Sequence, residues 1–203
     1  MTTLITVLIN RFGYLAVSLL IAIENIFPPI PSEVILAFSG FITTKSELQL
    51  FYLALASTLG ALIGALTLYW IGSLLKEEKI SQMMERPFFQ KMGFKKDDVT
   101  KANDWFQRYG IWTTFFARFI PIVRSLISLP AGMAKVDLLR FVIFTALGSL
   151  IWNTVLLSLG AYLGQNWQQV VMIIEEYSMI TCVLLGLILL IGSYYWYANR
   201  IRK

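Results

Sequence analysis

The chain contains no histidine and a single cysteine, Cys182, among 203 residues. Those absences remove disulfides, Cys/His zinc clusters, Cys–His nucleophile pairs and histidine proton relays. Neither a cofactor nor a metal is expected. Charge is also scarce: 14% of residues are Asp, Glu, Lys or Arg, against 57% hydrophobic. That balance excludes a disordered chain and argues against a soluble domain. One membrane domain accounts for residues 1–203, with no length left for a second. The net charge of +5 does not indicate nucleic acid, because the basic residues follow the membrane loops. Cys182 lies in an apolar run and reads as a packing or lipid-facing residue. The N-terminal stretch MTTLITVLINRFGY lacks the basic region of a cleaved signal, so the apolar segments are expected to insert and remain.

Three runs carry no charge: Leu48 to Leu75, Phe141 to Ile174 and Tyr177 to Asn199. Each exceeds the roughly 20 residues that a spanning helix needs. They place spans within 48–75, 139–164 and 177–199, with an aqueous turn at the polar GQNWQQ. Two further apolar regions are too short to span. Residues 12–23 and 34–44 flank ENIFPPIPSE, and residues 109–117 and 125–134 flank RFIPIVR. Each pair reads as a re-entrant hairpin broken by proline: Pro28, Pro29 and Pro31 in the first, Pro121 and Pro130 in the second. Residues 1–47 thus hold a short N-terminal helix and hairpin 1, and residues 109–135 hold hairpin 2.

Residues 76–108 form the one long hydrophilic segment, with eight Lys/Arg and six Asp/Glu. Mixed signs point to solvated helices. The positive-inside rule puts this loop and the basic C-terminus, beyond a Tyr194–Tyr197 aromatic belt, in the cytoplasm. With those ends fixed, the first two spans run in opposite directions. Residues 60–72, GALIGALTLYWIG, align with 148–160, GSLIWNTVLLSLG, at Gly60/Gly148 and Gly72/Gly160. Each half reads as a broken, charged hairpin followed by a glycine-bearing span. The expected fold is therefore an all-α integral membrane protein: two oppositely oriented re-entrant hairpins plus spanning helices, related as an inverted repeat.

Four charges stand in the wrong solvent. Glu24 and Glu33 lie in the first hairpin, Arg118 and Arg124 in the second. An ionisable residue at membrane depth costs roughly 2.5–3.5 kcal/mol or more and marks a functional site by default. On a continuous helix, at about 100° per residue, neither pair would share a face. The prolines between them allow convergence on one cavity. Arginine suits bidentate phosphate binding and keeps its charge. Arg118 and Arg124 are thus the candidate phosphate clamp, with Glu24 and Glu33 as their resting partners. An arriving phosphate favours proton uptake by the glutamates, which would couple lipid movement to protons. Asn153, mid-span, together with Ser125 and Ser128 beside Arg124, are candidate cavity-lining groups. Those two serines are also the plausible nucleophiles there, should the protein act as a lipid phosphatase.

The pattern Glu24-x-x-x-Pro28-Pro29-x-Pro31-Ser32-Glu33, Gly60-x-x-x-Gly64, Tyr69-x-x-Gly72, Phe116-x-Arg118-Phe119-x-Pro121-x-x-Arg124 and Pro130-Ala131-Gly132 resembles the DedA family of bacterial inner-membrane proteins. The resemblance covers roughly residues 10–165. It implies two opposed re-entrant hairpins, a location in the bacterial cytoplasmic membrane and no enzymatic activity. The function it implies is lipid flipping or scrambling, as in the related VTT-domain scramblases of eukaryotes. The lipid would be undecaprenyl phosphate, a polyprenyl phosphate, or alternatively a phospholipid such as phosphatidylethanolamine. The family's essential acids fall on Glu24 and Glu33, and its essential arginines on Arg118 and Arg124. Some members carry Asp at the second acidic position, so Glu33 is a mild departure. The expected partners are a membrane lipid and protons, without nucleic acid, and a homo-oligomer is left open.

Overall fold

A computed structural model describes residues 13–27, 31–75, 96–121 and 123–200. The N-terminal segment 1–11, the breaks at Pro28 and Pro29, residues 76–95 of the hydrophilic loop and the last three residues lie outside the described residues. So do the side chains of Cys182 and of Tyr195, Trp196 and Tyr197 in the aromatic belt.

All regular structure among the described residues is helical: α1 (Tyr14–Ile26), α2 (Ser32–Thr43), α3 (Leu50–Leu74), α4 (Lys96–Ala117), α5 (Val123–Leu126), α6 (Ser128–Met133), α7 (Leu138–Leu163), a 3-10 turn (Gly164–Asn166) and α8 (Gln168–Arg200). Helices α3 and α7, continued by its 3-10 turn, are long and apolar enough to cross a membrane. Asp137 caps α7 by accepting from Arg140 N at 2.9 Å, and Gly164 (φ 53°) ends it. Helix α4 is continuous from Lys96, so it joins solvated loop sequence to the apolar arm that starts near residue 109. Helix α8 begins at Gln168, which makes residues 168–176 helical and confines the polar turn to the residues just before them.

The prolines act differently from one another. Pro31, in extended backbone, sits at the N-cap of α2. Pro121 lies in the turn that separates α4 from α5. Pro130 does not break the chain. It is the third residue of α6, inside the first turn, where no intrahelical N–H bond is lost.

The molecule is turned inside out relative to a water-soluble bundle. Leu19, Ile23, Phe51, Leu59, Ile63 and Trp70 are exposed, while Glu24, Glu33, Arg118, Arg124, Asn25 and Asn153 are buried. A surface so continuously apolar around a charged interior suits lipid rather than water as the surrounding solvent.

Small residues let the backbones meet. A Cβ added at Gly40 would overlap the carbonyl of Leu157, and one at Gly160 that of Ala37. On the other side, a Cβ at Gly132 would overlap the carbonyl of Tyr69, and one at Gly72 that of Leu129. Thus α2 packs on α7 as α6 packs on α3. The same offset separates Tyr69 from Leu157 and Gly72 from Gly160. A second shared offset separates Ala37 from Leu129 and Gly40 from Gly132.

Candidate functional site

The break between α4 and α5 builds half of the site. Helix α4 ends at Ala117, and Arg118 begins the turn. Pro121 follows, and α5 restarts the helix one residue before Arg124. The turn brings the two arginines together across six positions of sequence. Arg118 Nη1 donates to the backbone carbonyl of Arg124 at 2.7 Å. Arg118 Nη2 donates to Ser128 Oγ at 3.0 Å on α6 and to Thr145 Oγ1 at 3.3 Å on α7. Three elements therefore fix one guanidinium, which is only 1% exposed.

Glu24 supplies the first contact from the other hairpin. It lies near the end of α1, and its Oε2 stands 3.8 Å from Arg124 Nη2. That distance is an ion pair, not a hydrogen bond. Glu33 is buried in the first turn of α2, where the helix dipole favours negative charge. All four charges predicted from sequence are buried, and direct contacts join three of them, Arg118, Arg124 and Glu24. Their pairing is uneven: Arg124 has an acidic partner, while Arg118 is held by neutral groups.

Several buried polar atoms have no hydrogen-bond partner among the described residues: Arg118 Nε, Arg124 Nε, Arg124 Nη1 and Glu24 Oε2. An unpartnered polar atom in a low-dielectric interior costs about 1–3 kcal/mol, more when charged. Three of these atoms are donors on two neighbouring guanidinium groups, the kind of group that charged acceptor oxygens pair with.

Of the remaining candidates, Ser125 and Ser128 are buried beside the arginines. Asn153 is buried on α7, at the contact with α3, where its Nδ2 lies 3.2 Å from Ser57 Oγ. Sequence reasoning missed Thr145, because it sits in a charge-free run. Its one-turn spacing to Ser149 and Asn153, on the face that also carries Gly148, was the available signal. It also missed Asn25, whose Nδ2 donates to the Ala61 carbonyl at 2.7 Å and ties α1 to α3.

Comparison with known proteins places this geometry in a family. A VTT domain matches residues 30–162. That interval holds Glu33, Arg118, Arg124, Ser125, Ser128 and Asn153, with Glu24 just ahead of it. The chain is 50% identical to an alkaline phosphatase-like protein of Lactococcus lactis subsp. cremoris, over 95% of this chain and 90% of the other. It is 38% identical to undecaprenyl phosphate transporter A of Staphylococcus aureus, over 91% of each chain. It is 32% identical to undecaprenyl phosphate transporter A of Bacillus subtilis, over 95% of this chain and 91% of the other. No solved structure matches. With the family's domain covering well over half of the chain, and the two undecaprenyl phosphate transporters A among the relatives above 30% identity at nearly full length, the chain belongs to the VTT-domain (DedA) family of membrane proteins.

Proposed function

We propose that the protein is a lipid transporter that moves a polyprenyl phosphate, undecaprenyl phosphate above all, across the bacterial cytoplasmic membrane. The observation that carries this reading is the buried pair Arg118 and Arg124, with three donor atoms unpartnered among the described residues. A phosphate monoester offers the oxygens and the charge that such a pair recognises. The two relatives named as undecaprenyl phosphate transporters support the same lipid. Ser125 and Ser128 line the headgroup cavity, and Asn153 lines its extension.

Transport in this reading uses the two halves as an inverted repeat. Each half has a proline-broken re-entrant hairpin and a glycine-bearing span. The matched packing of Gly40 on Leu157 and Gly132 on Tyr69 supports that relation. The hairpins enter from opposite faces and meet at the charged centre. Glu24 holds Arg124 until the headgroup arrives, then takes up a proton. Loop 76–108 and the C-terminus face the cytoplasm.

A second substrate has one observation in its favour. The Glu33 carboxylate has no hydrogen bond or ion pair among the described residues, so it can accept an ammonium group such as that of phosphatidylethanolamine. The name of the Lactococcus relative raises a third possibility, hydrolysis. Ser128 Oγ already accepts from Arg118, which holds that hydroxyl in a structural role.

Native mass spectrometry of the detergent-released protein with competing polyprenyl phosphate and phosphatidylethanolamine tests the reading. Wild type should retain the polyprenyl phosphate, and Arg118→Ala should lose it. Equal retention by both proteins rejects the arginine clamp. Preference for phosphatidylethanolamine shifts the reading to the second substrate. Release of inorganic phosphate from a labelled polyprenyl phosphate by pure protein would establish hydrolysis instead.

A further inference from the structure

The middle of the buried face of α7 is polar. Thr145, Ser149 and Asn153 follow one another at one-turn spacing and are 0%, 3% and 0% exposed. Toward either end the same face turns apolar, with Phe141 before the stripe and Leu156 and Leu157 after it, all fully buried. The polar stripe covers about 12 Å of helix, at 1.5 Å per residue.

Its two ends touch different things. Thr145 accepts from Arg118, so one end is part of the arginine site. At the other end, Asn153 Nδ2 faces Ser57 Oγ at 3.2 Å and Thr58 Oγ1 at 3.5 Å, both on α3. These are long contacts. Both α3 hydroxyls already donate to the Ala54 carbonyl within their own helix. Asn153 Oδ1 is buried and has no partner among the described residues, and neither has the neighbouring Trp152 Nε1. Asn25, on α1, makes a shorter amide-to-carbonyl bond of 2.7 Å to Ala61 on α3, while its own Oδ1 is likewise buried without a partner among the described residues. The two asparagines thus differ in their donors: the Asn153 contacts across the α3–α7 seam are 0.5 Å or more longer than the Asn25 bond.

Packing alone gives no reason for this composition. An unpartnered buried amide oxygen costs about 1–3 kcal/mol, which an apolar side chain would avoid. What the stripe does offer is a row of neutral hydrogen-bonding groups leading away from two fixed positive charges, with no carboxylate along it.

We infer that the α3–α7 seam, formed by Ser57, Thr58, Ser149 and Asn153, is the onward path of a phosphate headgroup between the arginine site and one face of the membrane, shown here closed. This rests on the lipid-transport reading. An anion held only by arginines would bind and not leave. Conduction needs successive sites that are each weak enough to release. Hydroxyl and amide donors provide such sites, because they bond to phosphate oxygens without a net charge to trap them. The tail would remain in lipid while the headgroup travels between the helices.

Cysteine accessibility tests the inference without depending on a transport assay. In a Cys182→Ala background, Ser57→Cys, Ser149→Cys and Asn153→Cys are each reconstituted in vesicles, with Leu53→Cys and Leu157→Cys as buried apolar controls. A sulfonated, water-soluble methanethiosulfonate is the probe. A thiol sealed in apolar surroundings loses thiolate, about tenfold for each unit by which its pKa rises. The three seam positions should react at least about tenfold faster than the controls. Dodecyl phosphate should slow them, and dodecyl maltoside should not. Rates equal to those of the controls overturn the inference. Fast labelling that dodecyl phosphate leaves unchanged also overturns it, since the seam would then admit water but not a headgroup. Ser149→Cys exchanges a single oxygen for sulfur, so it keeps the test available should Asn153→Cys fail to fold. If wild type neither binds nor moves a polyprenyl phosphate while dodecyl phosphate still protects the seam, the choice of lipid fails and the headgroup path stands.

Discussion

Arg118 donates through Nη1 to the backbone carbonyl of Arg124 at 2.7 Å, so one arginine holds the other's peptide in place. The bond crosses the break at Pro121 and spends one of the five guanidinium donors on the geometry of the site itself. The second terminal nitrogen is divided between Ser128 and Thr145. Arg118 is therefore both a wall of the site and a member of it.

This dual role predicts the behaviour of Arg118→Lys. Lysine keeps the charge but cannot reach the Arg124 carbonyl, Ser128 and Thr145 from one planar fork. Each hydrogen bond to a charged group is worth about 1.5–3 kcal/mol, so losing one or two should cost roughly 2–4 kcal/mol. Thermal unfolding in detergent should fall accordingly, and retention of a polyprenyl phosphate should weaken at least about tenfold. Thr145→Val, which removes a single acceptor, should cause a smaller fall of about 1 kcal/mol. Lysine and arginine proteins of equal stability and equal lipid retention would contradict the three-point anchoring.

In the proposed mechanism Glu24 competes with the headgroup for Arg124. At 3.8 Å the carboxylate lies within ion-pair range but makes no hydrogen bond. Glu24→Gln removes that competition while keeping the shape. Binding of a phosphate monoester should tighten a few-fold, in line with an ion pair worth about 1 kcal/mol or more once partly desolvated. Transport by this variant should no longer respond to an imposed proton gradient. Titration with dodecyl phosphate checks the first statement, and a vesicle assay with and without a gradient checks the second. Weaker binding in Glu24→Gln would mean that the carboxylate assists the ligand instead of yielding to it.

The legible part of the fold was whatever hydropathy and charge encode directly. Helix α3 lies in a run without a charged residue, as does α7 from Phe141 onward, and composition alone marked them. The four buried charges stood out because each is costly in an apolar stretch. The pairing of those charges was not legible. Nothing in the sequence distinguishes Arg118, held by Thr145 and Ser128, from Arg124, held by Glu24. That asymmetry comes from which side of the turn after α4 faces α7. Pro130 was over-read for a related reason: proline breaks a helix only beyond its first turn, and the start of α6 at Ser128 was not visible in advance. Thr145 and Asn25 are ordinary residue types, whose importance depends on neighbours brought together by the fold.

Lys135 occupies a conformation that suits glycine. Its φ is 51°, and it is the one non-glycine residue with positive φ among the described residues. It ends α6 in a reversing turn, with Val136 N bonded to the Ala131 carbonyl at 3.1 Å. The left-handed conformation costs an L-residue with a Cβ roughly 1 kcal/mol. The side chain is exposed, so little packing is lost on removal. Lys135→Gly should therefore raise stability by up to about 1 kcal/mol, partly offset by the greater freedom of an unfolded glycine. Thermal unfolding measures this directly. A large fall in stability would mean that the Lys135 charge contributes more at the membrane surface than its backbone strain costs.

The proposed repeat relation makes the most demanding prediction. Gly40 and Gly132 hold corresponding places, as do Gly160 and Gly72, and at each of them an added methyl would meet a backbone carbonyl of the facing helix. A carbonyl cannot move aside as a side-chain tip can, so the helices themselves must separate. Overpacking of this kind typically costs about 1–3 kcal/mol, and more where backbone is involved. All four alanine variants should be destabilised, and the members of each pair should be alike. Gly186→Ala and Gly192→Ala on α8 are the internal comparison, because an added Cβ there meets nothing within 4 Å. Those two should be neutral or gain up to about 1 kcal/mol from helix propensity. Unfolding midpoints of the six variants decide the matter. If Gly40→Ala is severe while Gly132→Ala is mild, the two interfaces differ in rigidity, and the halves do not function as equivalents. If both members of each pair fall together, the interfaces that carry the two hairpins are mechanically matched, as exchange of roles between the halves during transport requires.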